Sequence, residues 1–208
     1  MEFQYFGGNC VRIGTKQAAV VIDDNLAELG LKSVTKTGDI VLFTGAHGEP
    51  GVETKIVIGQ PGEYEVSHVS IQGFPVRAHM DESGKETATM YKLTADDVKV
   101  LVTGHIYPEL TDKELEEVGL IDVMIVPVGG NGYTLDGVGA LKVIKKVEPK
   151  IVIPVHYADK SVSYPVPQQE LSQVLQALAM EPKETTAKLK LKGTDLFEGT
   201  QLIVLERQ

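Results

Sequence analysis

Five histidines occur in the chain, and four of them, His47, His79, His105 and His156, fall at or just beyond the C-terminal ends of strand-like runs. Side chains at strand ends converge on one rim of a sheet, where sites are built. Imidazole nitrogens and carboxylate oxygens are the donors that zinc and related ions take. Glu49, two residues after His47, adds a carboxylate to the same loop. The four histidines are therefore candidate metal ligands, and Glu49 is a candidate catalytic proton acceptor. Taken singly, each histidine reads as readily as a surface or hydrogen-bonded structural group, and spacing alone leaves both readings open. His68 lies inside a strand pattern and stands apart.

The elements that would position these side chains divide into two halves. Short β-type runs over residues 2–6, 10–13, 17–22, 39–43, 54–58, 64–71, 86–93 and 98–103 are separated by Gly- and Pro-containing turns. The stretch 45–51, which carries His47 and Glu49, has loop composition. Beyond residue 110 the pattern alternates. Thr111 followed by Glu114 is a capping box opening a helix over 111–118. Residues 121–128 and 151–155 are continuous apolar runs, as in strands covered on both faces. Apolar residues at helical spacing predict helices over 135–147, with Thr134 as N-cap, and over 167–179. Strands over 187–191 and 201–205 complete the series. Strands first, then alternating strands and helices, point to an α+β fold with two sheets and outer helices rather than one doubly wound sheet. No linker or low-complexity tract divides residues 1–208, so a single domain is expected.

Composition narrows the partners. A net charge of −9 opposes sequence-independent nucleic-acid binding and attachment to anionic membrane surfaces. The single cysteine, Cys10, excludes an intrachain disulfide, so no oxidising compartment is needed. The first residues lack the basic and apolar regions of a signal peptide, and no apolar run has membrane-spanning length. A cytoplasmic protein is the expectation.

Several stretches carry a resemblance. They are Val20-Val21-Ile22-Asp23, Gln60-Pro61-Gly62-Glu63-Tyr64-Glu65-Val66, the run from Ile121 to Gly130, Tyr133-Thr134-Leu135-Asp136, and Pro149 to Tyr157 with its Ile-Pro-Val-His ending. On these the chain resembles the metallo-β-lactamase superfamily, in its small cytoplasmic UlaG-like branch. That resemblance implies an αββα sandwich: two mixed sheets packed face to face, with helices on the outer faces.

It also implies roles for the histidines. The family signature Thr-His-x-His-x-Asp-His stands here as Thr44-Gly45-Ala46-His47-Gly48-Glu49-Pro50, so only His47 of its three histidines remains. His79 matches the next ligand, His105 after Gly104 replaces the bridging Asp, and His156 matches the last ligand. Gly45 and Pro50 have no side chain able to ligate. A neutral imidazole at His105 binds one metal through one nitrogen and adds no negative charge. The resemblance thus implies a metal-dependent hydrolase whose degenerate site holds at most one divalent ion, zinc ahead of manganese or iron. Its substrate would be a small-molecule ester, lactone, amide or phosphoester. The same losses leave open a chain without metal, acting as a scaffold or small-ligand-binding protein. A homo-oligomer stays open, and the acidic charge disfavours a nuclease. Asp136, the family's acid at the start of a helix, reads as a helix N-terminal residue favoured by the dipole.

Overall fold

The short apolar runs become the strands of two sheets in the computed structural model, which describes residues 1–196 and 199–208. The first strands in chain order are β1 (Glu2–Gly7), β2 (Cys10–Gly14), β3 (Ala19–Ile22), β4 (Ile40–Leu42) and β5 (Ile56–Ile58). Then come β6 (Gly62–Val66), β7 (Val69–Val76), β8 (Ala88–Ala95) and β9 (Val98–Val102). Helices enter with α1 (Asp112–Val118), and the chain continues through β10 (Val123–Pro127), α2 (Gly137–Val147) and β11 (Ile151–Val155). It finishes with α3 (Leu171–Leu178), β12 (Pro182–Thr186), β13 (Leu189–Lys190) and β14 (Gln201–Leu205).

Among the described residues, one sheet has six strands in the order β13-β1-β2-β3-β4-β5, and the other has eight in the order β12-β14-β11-β10-β9-β8-β7-β6. Both are mixed: β3, β4 and β5 run parallel while β1 to β3 are antiparallel. In the larger sheet β12, β14, β11, β10 and β9 are parallel and the remaining pairs antiparallel.

Strand alternation explains the packing. Phe3, Tyr5, Ile13, Ile22 and Leu42 from the smaller sheet meet Ile71, Leu93, Val100, Ile125 and Ile153 from the larger one in a continuous apolar layer. Each such side chain contributes about 1.5–3 kcal/mol relative to exposure. Residues of opposite parity on the larger sheet, such as Met90, Leu101, Met124 and Val152, pack against Val118 of α1, Ala140 and Val143 of α2, and Val174 and Leu178 of α3. The expected sandwich is present, with all three of these helices on the larger sheet. The outer face of the smaller sheet is covered instead by Leu26 of a 3-10 turn, which packs on Cys10 and Val21.

Four local features differ from the sequence expectation. The run 64–71 is two strands, broken at Ser67 and His68, both at positive φ (52° and 59°). His68 therefore sits at an exposed hairpin tip, outside any strand. The long helix starts at Gly137, and its N-cap is Asp136, whose Oδ1 accepts from Gly139 N at 2.7 Å; Thr134 does not cap it. The third helix starts at Leu171 rather than 167, because Gln169 N already donates to Gly129 O (2.8 Å). Finally, β12 was not anticipated from its polar sequence, and it pairs at the sheet edge with β14.

Candidate functional site

Parallel strands β9, β10 and β11 end on one edge, and the residues just past them build a cleft of about 510 Å³. Its walls include Asp23, Thr44, His105, Tyr133 and His156. His105 follows β9 after a left-handed Gly104 (φ 63°), and His156 directly follows β11 at φ 56°. The left-handed backbone at a non-glycine residue costs free energy, and it re-aims the imidazole as the chain leaves the strand.

The two rings meet edge to face, with centroids 4.7 Å apart and planes at 88°. Tyr133 lies 5.0 Å from His105 and Tyr164 lies 4.9 Å from His156, centroid to centroid. His105 Nδ1 is buried and, among the described residues, has no hydrogen-bond partner. Burial, helped by the neighbouring His156 and His79, pushes the His105 pKa down to about 3. Burial likewise pushes His156 down to about 4, partly offset by its hydrogen bond to Gln168. Both imidazoles are thus neutral at neutral pH and keep nitrogen lone pairs.

Asp23 closes β3 as a buried carboxylate. Thr44 donates to it twice, from N (2.7 Å) and from Oγ1 (2.6 Å). Burial still pushes its pKa up to about 6 against those bonds. The sequence signal for Asp23 is a carboxylate directly after a four-residue apolar strand.

His79 is adjacent to this group through the backbone. Its N donates to His105 O at 2.7 Å, and its Nδ1 lies 3.4 Å from Ile106 O. A carbonyl there requires Nδ1 to carry the proton, which leaves Nε2 with the lone pair. His47 is placed differently. It is exposed, stacked on Phe43 (4.1 Å, planes at 8°) and pressed against Gly59, and its Nδ1 lies 2.9 Å from Gly48 O. Glu49 is exposed on the same loop, whose base, Gly45 and Ala46, lines the cleft.

The structure therefore brings His105 and His156 together, joins His79 to His105, and leaves His47 and Glu49 outside the cleft wall. Neutral imidazoles, one of them with a buried unpartnered nitrogen, are donors suited to a zinc-type ion. Among the described residues, no three His, Cys, Asp or Glu side chains form a ready metal cage. Also among the described residues, no helix is long and apolar enough to cross a membrane.

A protein from Salinibacter ruber named a metal-dependent hydrolase is 27% identical over 192 residues, covering 76% of this chain and 84% of that protein. A Bacillus thuringiensis protein of the same name is 25% identical and covers 86% and 93%. A Thermotoga maritima crystal structure, provisionally described as a Zn-dependent hydrolase of the metallo-β-lactamase superfamily, superposes with a TM-score of 0.76. It is 24% identical and covers 99% of each chain, so this chain has the same fold. The model of the beta-lactamase superfamily domain matches residues 2–156, the span from β1 to the histidine just past β11, and the chain belongs to that superfamily.

Proposed function

We propose that the chain is a metal-dependent hydrolase of small-molecule substrates with a single divalent ion, zinc first, held by His105 and His156, with His79 as the third imidazole. One observation carries this reading: the neutral His105–His156 pair, with His105 Nδ1 buried and unpartnered, on the wall of an open cleft. The names of the Salinibacter and Bacillus relatives support it.

An ion at such a centre acidifies water and polarises a scissile carbonyl or phosphoryl oxygen. The chain's own residues do the rest. Burial keeps the imidazoles unprotonated. Tyr133, with its ring beside His105, forms the side of the cleft on which an ester, lactone, amide or phosphoester would lie. Asp23 is committed to Thr44 and holds the 44–46 segment against β3. Glu49 is the candidate proton acceptor: it is exposed on the 45–51 loop, whose Gly45–Ala46 base lines the cleft. A two-metal centre does not suit this donor set, because Gly45, Pro50 and His105 stand where it would need two imidazoles and a bridging carboxylate.

The test is metal analysis of untagged protein purified without chelator. The expected result is about one ion per chain, lost in a His105→Ala/His156→Ala double variant, with a gain of about 2.7 kcal/mol in stability at a hundredfold excess of zinc over Kd. Absence of metal together with no zinc-induced rise in Tm would remove the nucleophile and leave a small-ligand-binding protein.

A further inference from the structure

The residue that aims His156 lies twelve positions further along the chain. Gln168 Oε1 sits 3.2 Å from His156 Nδ1, while Gln168 Nε2 donates to Val166 O at 2.8 Å. A carboxamide has one accepting end and one donating end. With its donating end committed to a carbonyl, the end facing the ring is the oxygen. An oxygen acceptor beside Nδ1 requires the proton on Nδ1. In a neutral imidazole that leaves Nε2 as a bare lone pair.

The amide is built into its place. A methyl group on Gly129 would overlap both Gln168 Oε1 and the His156 carbonyl, so the absent side chain is the space the amide occupies. The segment around it is tied on both sides: Gln169 N donates to Gly129 O (2.8 Å), Ala158 N donates to Gln169 O (2.9 Å), and Asn131 Nδ2 donates to Pro167 O. His156 is also fixed from below, where its backbone N donates to Tyr5 Oη at 3.2 Å. Ring, amide and backbone therefore have little freedom to exchange partners.

We propose that Gln168 is a positioning residue that fixes His156 as its Nδ1–H tautomer and so presents Nε2 to the cleft's occupant. What Nε2 is for rests on the functional reading above, whereas the tautomer itself is measurable without metal. Outer partners of this kind set ring orientation and ligand basicity in metal sites, and their loss costs about 10–100-fold in metal affinity.

The experiment records imidazole ¹⁵N spectra of the full, metal-free chain, with zinc titration as a second arm. In the wild type, His156 Nδ1 is expected to resonate as a protonated, pyrrole-like nitrogen and Nε2 as a pyridine-like one. Gln168→Leu removes the acceptor at similar bulk and is expected to give averaged, mixed-tautomer signals. Gln168→Ser serves where the leucine variant does not fold. A proton on Nε2 in the wild type, or an unchanged tautomer in the leucine or serine variant, overturns the proposal; in the second case the controlling acceptor would be the backbone of His156 itself, which also hydrogen-bonds the ring. Zinc affinity is expected to fall about 10–100-fold in the leucine variant. Unchanged affinity in the leucine variant counts against the proposal. A wild type that binds no zinc but shows the tautomer response refutes the hydrolase reading alone and supports the role of Gln168.

Discussion

Lowering the pH from about 8 to about 5 in chelator-treated protein is expected to remove about 3 kcal/mol of folding stability. The cause is the pair of buried rings. His105 and His156 titrate at about 3 and about 4 in the fold, against an ordinary value of about 6.5 in the unfolded chain. The unfolded state therefore takes up protons first as the pH drops. The stability that depends on neutral rings is complete above about pH 6.5 and is lost on descent toward the folded values. At pH 5 each ring lies about 1.5 pH units below the unfolded value, worth about 2 kcal/mol at 1.36 kcal/mol per unit. Asp23 works in the opposite sense. Its folded pKa is raised to about 6, so the folded state gains a proton in this range and recovers about 1.4 kcal/mol. Urea denaturation at about pH 8, 6.5 and 5 measures the difference. His105→Phe is expected to reduce the loss by about 2 kcal/mol, because one of the two rings no longer titrates. Stability that stays flat from pH 8 to 5, or a phenylalanine variant that loses as much as the wild type, would refute the assignment of these rings as buried and neutral.

Two further outcomes follow from the packing. Gly129→Ala places a methyl group on Gln168 and the His156 carbonyl; it is expected to destabilise the chain by about 1–3 kcal/mol, as overpacking does, and to disturb the His156 ¹⁵N signals, read by urea melts and NMR. Thr111→Ala removes the side chain that accepts from Glu114 N in the capping box of α1, which is expected to cost about 1 kcal/mol in the same urea melts while leaving zinc binding unchanged.

Those elements whose signal is local were legible in the sequence. The continuous apolar runs became β10 and β11, and Thr111 with Glu114 formed the expected box. The positions of His105 and His156 past strand ends led to one rim, since parallel neighbours deliver their C-termini side by side. Where the turn residues were atypical or the outcome depended on distant partners, the sequence was silent. Ser67 and His68 take the left-handed turn normally signalled by Gly or Asn, so the β6–β7 hairpin had no mark. Pro182–Thr186 lacks apolar alternation and joins the sheet only because β14 offers an edge. The loop around His47 keeps part of a metal-binding pattern, yet stacking on Phe43 turns the ring outward. Gln168 is twelve residues from the ring it meets; the helical spacing that includes it belongs to Leu171–Leu178, and Gln168 itself lies in the loop before that helix.

A crystal of the zinc-soaked protein, with anomalous differences collected at the zinc edge, addresses the site directly. The expected map has one strong peak at about 2.0–2.1 Å from His156 Nε2 and from a His105 nitrogen. A map with no peak at that pair, or with zinc only at the exposed His47–Glu49 loop, would contradict the metal centre on which the proposed hydrolase rests.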